Sequence, residues 1–233
     1  MKQFLSTIMI FSLLGVFAMA NSEKPAIDID VPSTLEKATF GLGCFWGSEA
    51  AFGGTRGIYK TSVGYAGSTK ENPSYFSLGD HTEVVQIEFD PSEITYEALL
   101  EVFWSSHNAY IDYKRQYMSI ILYHNADQRD VAEEFIALKE SERDMKSATE
   151  ISQIVEFYRA EDYHLKFYLQ RDRGLLNDLL GFYGDIFELD SSTAAARLNS
   201  LLAGKGDRDL MRAEYISYGL QEGNLQKVSR MLE

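Results

Sequence analysis

The chain has 233 residues, of which 45% are hydrophobic and 24% are charged, as is typical of a globular protein. Its formal net charge of −13 makes nucleic acid and anionic membrane surfaces poor partners. The four histidines show no ligand spacing and only one cysteine is present, so we expect neither a metal site nor a cofactor.

The first twenty residues have the features of a secretory signal peptide. Lys2 supplies a positive charge, residues 4–17 form an almost uncharged apolar run, and AMA at residues 18–20 is a small-residue cleavage site. The apolar run is short for a membrane span, which favours cleavage over a retained anchor. We therefore expect an exported protein, periplasmic or secreted, that is monomeric and has no membrane contact after cleavage.

The chain that follows alternates strand and helix patterns after a polar arm at residues 21–36. Strands are predicted at residues 37–43, 58–65, 82–89, 118–123 and 150–157, and helices at residues 45–52, 96–106 and 127–142. Such alternation indicates an α+β fold with helices packed on a mixed sheet. We expect a two-layer sandwich with a ferredoxin-like core over residues 37–172, which form the catalytic domain.

From residue 173 onward the pattern is helical only, which predicts a C-terminal extension over residues 173–233. A helix starts at the polar residues 191–193 and stops at Gly204, and a second helix fits residues 207–220.

The most informative stretch is GLGCFWG at residues 41–47. A strand ends in glycines and a helix begins at or just after Cys44, where free backbone N–H groups and the helix dipole favour an anion. Thiols in such positions have pKa values of roughly 3.5–7.5, against about 8.5 for a free thiol. The alternative is a buried, inert cysteine. The rings of Phe45 and Trp46 could line an apolar pocket beside the sulfur, or they could be core residues.

The motif GCFWG at residues 43–47, followed by Glu49, resembles the signature of the A-type peptide methionine sulfoxide reductases, which act on the S epimer. Further segments occur in the family's order. They are VGYAG at 63–67, NPSY at 72–75, HTE at 81–83, VFW at 102–104 with His107, QYxS at 116–119, FYxAEDYH at 157–164 and TAAARLN at 193–199. The resemblance runs from about residue 39 to residue 220.

The resemblance implies a set of catalytic residues. Cys44 corresponds to the nucleophile, and Glu83 to the acid that protonates the sulfoxide oxygen. Tyr75 and Tyr117 correspond to the phenols that hydrogen-bond this oxygen, and Asp112 to a supporting carboxylate. By the same resemblance, Phe45 and Trp46 correspond to the walls that hold the substrate's methyl group. The residue types suit the chemistry, because a sulfoxide sulfur becomes electrophilic when its oxygen is protonated or strongly hydrogen-bonded.

The segment before Tyr117 departs from the family pattern. Residues 108–117 form a shorter loop than is usual, Lys114 and Arg115 replace a Gly-Thr pair, and Met118 replaces an arginine. We expect this change to affect which peptides are accepted.

With Cys44 as the only thiol, the chain cannot form an internal disulfide. The expected reaction therefore leaves a Cys44 sulfenic acid that an external thiol must reduce, whether thioredoxin-like, glutaredoxin-like or small. The expected function is peptide-methionine (S)-S-oxide reductase, acting on free or protein-bound methionine sulfoxide in the repair of oxidised proteins. Two alternatives remain: a non-catalytic module that binds methionine or its sulfoxide, and a thiol peroxidase.

Overall fold

A computed structural model describes residues 24–233, and the predicted signal peptide at residues 1–20 lies outside this range. The strands are β1 (Glu36–Leu42), β2 (Ile58–Ala66), β3 (Thr82–Phe89), β4 (Ser119–Tyr123), β5 (Glu150–Gln153) and β6 (Tyr158–Arg159). The helices are α1 (Ala26–Ile29), α2 (Phe45–Gly53), α3 (Tyr96–Ser105), α4 (Ala126–Arg143), α5 (Arg173–Tyr183), α6 (Ile186–Leu189), α7 (Thr193–Leu202), α8 (Arg208–Glu214) and α9 (Glu222–Leu232). Within the described range, none of the helices has the length and apolar character needed to cross a bilayer.

The strands form one sheet in the order β5-β4-β1-β3-β2-β6. The β4–β5 pair is parallel and the other pairs are antiparallel, which confirms the α+β class and the mixed sheet. Central β1 is buried on both faces over residues 38–42, because helices or loops cover the sheet on each side. The ferredoxin-like core and the two-layer sandwich stay predictions.

The main apolar core lies between one sheet face and the helices α2, α3 and α4. Phe40 of β1 lies at its centre and stacks on Phe52 of α2, with ring centroids 5.3 Å apart. Side-chain caps begin two of these helices: Thr95 accepts a bond from the Ala98 N–H, and Asn125 accepts one from the Gln128 N–H. The helix predicted at residues 127–142 therefore begins one residue earlier, at Ala126, with Asn125 as its cap.

The predicted strand at residues 150–157 is divided in the structure. β5 pairs with β4 at one edge of the sheet, and β6 pairs with β2 at the opposite edge. Between them, Ile154 and Phe157 pack against the second sheet face. The apolar residues that suggested a continuing strand thus belong to a crossing segment.

The region after residue 173 is helical, as predicted, and buries its own apolar core. The predicted helix at residues 207–220 is α8 followed by a 3-10 turn at Tyr215–Tyr218, and α9 lies beyond it. The predicted polar arm contains α1, whose Asp28 carboxylate accepts a 2.6 Å bond from the Thr193 N–H at the start of α7. The N-terminal arm is therefore joined to the start of α7 in the C-terminal extension.

Helix α7 of the extension packs directly on α2, the helix that follows Cys44. Gly53 allows this approach, because a Cβ there would lie 2.6 Å from the Ala196 carbonyl oxygen. Arg197 donates a 2.6 Å bond to the Gly53 carbonyl, and Ser200 donates one of the same length to the Ala50 carbonyl. The extension thus fixes the position of the helix that carries the predicted nucleophile.

Candidate active site

Cys44 is the N-cap residue of α2, at the turn where β1 gives way to the helix. Gly43 makes this turn possible with φ +97°, a conformation that residues with a Cβ rarely adopt. The Cys44 side chain is exposed, so its sulfur is accessible to reactants. The alternative of a buried cysteine is therefore wrong.

The pKa of the Cys44 thiol differs from the expected low value. Partial burial of the sulfur raises the pKa, and the negative charge of Glu83 raises it further. Hydrogen bonds from the backbone N–H groups of Trp46 and Gly47 lower it, but they do not offset the two raising effects. The expected acidification was therefore wrong, because the sequence indicates the helix start but not the carboxylate across from it.

Glu83 lies at the beginning of β3 and is 1% exposed. Its Oε1 accepts a 2.8 Å bond from the Gln116 side-chain amide, and its Oε2 accepts a 3.2 Å bond from the Phe45 N–H. Burial raises the pKa of Glu83, and these two bonds and the charge of Lys114 only partly oppose this effect. The site therefore holds a carboxyl group that is more easily protonated than an ordinary glutamate.

The two predicted phenols lie beside this carboxyl group. Tyr117 is hydrogen-bonded to Tyr75, and its pKa is raised by burial and by the negative charges of Glu83 and Cys44. Both tyrosines are half-buried and can still reach a ligand. Each phenol O–H can donate a hydrogen bond to an oxygen bound near Cys44.

Phe45 and Trp46 form aromatic walls around this space. The Trp46 indole donates a 3.0 Å bond to Nδ1 of His164, and its ring stacks on Phe167 with centroids 3.4 Å apart. The rings of Phe45 and Tyr75 each lie 4.9 Å from the His164 ring, measured between centroids. His164 thus fixes the orientation of the pocket's aromatic residues, and burial lowers its pKa, which favours the neutral imidazole.

Two site residues were missed by sequence reasoning. Gln116 holds the Glu83 carboxylate, and Glu161 accepts bonds from the Tyr65 hydroxyl at 2.7 Å and the Tyr75 N–H at 3.0 Å. Both lie inside segments that matched the family pattern, which was the available signal. Asp112, in contrast, is an exposed residue of the loop before Tyr117, and its supporting role stays a prediction.

A buried ion cluster lies beneath α2. The Lys166 ammonium contacts the Glu49 carboxylate at 2.7 Å and the Asp190 carboxylate at 2.6 Å. Glu49 also accepts a 3.1 Å bond from the Thr61 hydroxyl. The cluster connects α2, β2 and the segment before α7, and therefore supports the helix that carries Cys44.

Together these residues place a thiol, a readily protonated carboxyl group and two phenols around an aromatic pocket. This set can attack an electrophilic atom while supplying a proton to an attached oxygen. In the part of the chain that the structure describes, no three metal-ligating side chains come together.

Comparison with known proteins identifies the family. A family model described as peptide methionine sulfoxide reductase matches residues 36–178. A peptide methionine sulfoxide reductase of Drosophila melanogaster is 43% identical over 201 residues, covering 84% of this chain and 79% of that protein. The peptide methionine sulfoxide reductase MsrA of Sulfolobus acidocaldarius is 44% identical over 144 residues, covering 58% of this chain and 82% of that protein.

Solved structures similar to this chain belong to the same family. The structure of methionine sulfoxide reductase A of Corynebacterium diphtheriae is similar, with a TM-score of 0.52 and 28% identity over 61% of this chain and 77% of that chain. The structure of Mxr1 from Saccharomyces cerevisiae in reduced form gives the same TM-score and identity, over 61% of this chain and 88% of that chain. The chain therefore belongs to the A-type peptide methionine sulfoxide reductase family, whose members are oxidoreductases acting on methionine sulfoxide.

Proposed function

We propose that this chain reduces the S epimer of methionine sulfoxide, free or in proteins, through a sulfenic acid on Cys44. The observation that carries this proposal is the placement of the exposed Cys44 thiol beside the buried Glu83 carboxyl group, whose pKa is raised. A thiol peroxidase would need neither the acid nor the aromatic pocket, and a binding module would not need the thiol.

The first step is attack of the Cys44 thiolate on the sulfoxide sulfur while Glu83 gives a proton to the oxygen. Methionine then leaves, and the oxygen ends on the Cys44 sulfur as a sulfenic acid. The reacting pair carries a single proton, which can reside on the thiol or on the carboxyl group. When the proton moves to Glu83, the carboxylate charge that raised the Cys44 pKa disappears, so acid and nucleophile form together.

The pocket provides a physical basis for epimer specificity. Tyr75 and Tyr117 donate hydrogen bonds to the sulfoxide oxygen, and the Phe45 and Trp46 rings hold the methyl group. With oxygen and methyl fixed and Cys44 behind the sulfur, the rest of the substrate must extend towards solvent. In the other epimer, either the oxygen would face the aromatic walls or the methyl group would face the phenols, which leaves polar groups unpaired.

Protein-bound methionine sulfoxide fits the rim of the site. Phe76, which packs edge-on against Tyr75, is 90% exposed, and Tyr163, which packs against His164, is 53% exposed. Exposed aromatic rings beside a pocket suit apolar side chains of a flexible polypeptide segment. We therefore propose that the enzyme repairs oxidised proteins as well as the free amino acid.

The second half of the cycle needs an external thiol, because Cys44 is the only cysteine of the chain. This thiol forms a mixed disulfide with Cys44, and a second thiol releases the enzyme. We also propose that the protein is exported to the periplasm or the medium, because residues 1–20 have the pattern of a signal peptide. We propose that it acts there as a monomer.

The test is a single-turnover assay with purified S and R epimers and no reductant. One equivalent of methionine should form from the S epimer, and the protein mass should rise by one oxygen that dimedone traps on the Cys44 peptide. Cys44→Ser should form no methionine while keeping its fold. Binding without methionine formation would indicate a binding module. A covalent dimer as the main product would contradict the one-cysteine cycle.

A further inference from the structure

A cavity opens at Cys44, and its lining includes neither the aromatic walls of the site nor Glu83, Tyr75 or Tyr117. Its volume is about 110 Å³, and it is lined by Leu42, Cys44, Gly47, Ser48, Ala51, Ser106 and Lys205. Lys205 follows α7 in the C-terminal extension and is the only charged residue of this lining. The exposed Cys44 thus borders a cavity to which the proposed substrate-binding residues do not contribute.

This inner cavity continues into a larger one of about 430 Å³. The two share Ala51, Ser106 and Lys205, and the larger one reaches Arg56 and Asp207. Together they form a groove that starts at Cys44 and runs between α2, α3 and the α7–α8 connection. We call this the Lys205 groove.

The cations of the Lys205 groove are available to a ligand. Lys205 and Arg56 are exposed, and within residues 24–233 neither side chain makes an ion pair or hydrogen bond. The two acids of the groove line only the larger cavity, so Lys205 is the charged residue of the part next to Cys44. Glu93 accepts a 2.8 Å bond from the Tyr59 hydroxyl, and Asp207 caps α8 through the Leu210 N–H at 3.0 Å. In a chain of net charge −13, a free cation near the nucleophile favours an anionic reactant.

We propose that the Lys205 groove binds the reductant, a small thiol that carries a carboxylate, with Lys205 pairing with the carboxylate. This inference rests on the proposed function, because the thiol's target is the Cys44 sulfenic acid. Glu83, Tyr75 and Tyr117 hold the transferred oxygen on the substrate side. Displacement of this oxygen requires an approach directed away from it, and the groove provides one because none of these three residues lines it.

The reaction balances in two displacements. The small thiol's sulfur bonds to the Cys44 sulfur, the S–O bond breaks, and the oxygen leaves as water with the thiol's proton and the sulfenic acid's own. A second molecule of thiol then attacks the small-thiol sulfur of the mixed disulfide, which releases the Cys44 thiol and a symmetrical disulfide. The sulfoxide is reduced, and two thiols are oxidised.

The test measures the loss of preformed sulfenic acid with three probes: 3-mercaptopropionate, neutral 2-mercaptoethanol and cationic cysteamine. Each rate in Lys205→Glu is divided by the wild-type rate for the same thiol, so that differences in intrinsic thiol reactivity cancel. For 3-mercaptopropionate, this ratio should be roughly threefold to tenfold lower than for 2-mercaptoethanol, because its carboxylate loses Lys205 and meets a glutamate. For cysteamine, the ratio should be higher than for 2-mercaptoethanol. The difference should vanish near 1 M salt, where screening is strong.

Arg230→Glu is the matched control, because Arg230 is an exposed cation of α9 that lines neither cavity. It makes the same change in net charge and should alter none of the three rates. Equal ratios for all thiols in Lys205→Glu would overturn the inference, as would an effect confined to the KM of a peptide sulfoxide. If no sulfenic acid forms in the first place, the proposed function fails instead, and the two failures are distinguishable.

Discussion

Replacement of Lys166 by methionine tests the role of the buried ion cluster beneath the catalytic helix. The Lys166 ammonium is fully buried and contacts the Glu49 and Asp190 carboxylates and the carbonyl oxygens of Thr61 and Asp190. Methionine has a similar length and no charge, so Lys166→Met removes the donor with little change in volume. Two buried carboxyl groups then face each other without a cation.

The expected loss of stability is large. Removing one partner of a buried ion pair costs about 3–5 kcal/mol, because the remaining charge is left uncompensated. With a slope of about 2 kcal/mol per molar urea, the unfolding midpoint should fall by about 2 M. The matched control is Lys60→Met, whose pair with Glu88 is partly exposed, at 35% and 27%. Such a pair contributes about 0–1 kcal/mol, so the urea unfolding midpoint of Lys60→Met should move by less than about 0.5 M.

The pH dependence of this loss has a defined sign. Burial already raises the pKa of Glu49, and the charge of Lys166 is the main opposing influence. Without Lys166 the folded pKa of Glu49 rises further, so the folded variant holds a proton that the unfolded chain releases. The stability deficit should therefore be small at pH 5 and grow as pH rises through the folded pKa of Glu49.

Urea titrations of the three proteins at pH 5 and pH 8, followed by circular dichroism, measure these quantities. The reasoning is refuted if Lys166→Met shifts the midpoint no more than Lys60→Met at pH 8. It is also refuted if the deficit is larger at pH 5 than at pH 8, because the buried carboxyl groups would then not be its cause.

Three further predictions concern the proton that the reaction uses. Glu83→Gln keeps the shape of the side chain but cannot act as an acid, so turnover measured as methionine formation should fall roughly 10²- to 10⁴-fold; a wild-type rate between pH 5 and pH 9 would show that the proton comes from elsewhere. Because the reacting pair carries one proton, kcat/KM should be maximal between the pKa values of Glu83 and Cys44, both of which are raised. Gln116→Leu removes a hydrogen bond that favours the ionised carboxylate, so the acidic limb of this profile should move to higher pH; an unchanged limb, or one at lower pH, would contradict the assignment of this limb to Glu83.

Local sequence signals predicted the parts of the site that depend on neighbouring residues. The glycine turn, the helix start and the two aromatic residues after Cys44 are encoded within seven positions, and the structure contains each of them. Glu83 came from the family resemblance, because nothing in a strand pattern distinguishes one acid from another. The raised pKa of Cys44 was missed because it results from burial and from a carboxylate 39 positions further along the chain.

Contacts between distant parts of the chain account for most of the structural features that the sequence did not predict. Lys166 meets its two partners across 117 and 24 positions, and no periodicity in the sequence pairs them. The short β6 strand and the Lys205 groove likewise depend on how distant segments meet. The Asp112 prediction came from the family resemblance in a loop of altered length, and the structure shows this residue exposed to solvent.

The bonds between α7 and α2 have a consequence for the order in which the enzyme matures. Arg197 and Ser200 supply donors to carbonyl groups at the end of the helix that Cys44 begins, roughly 150 positions earlier in the chain. During synthesis, the catalytic helix therefore lacks these partners until the α7 segment has left the ribosome. We expect nascent chains that stop before residue 190 to leave α2 loosely held and the thiol without its oriented pocket. Reactivity towards sulfoxides would then be acquired late, after almost all of the polypeptide has been made.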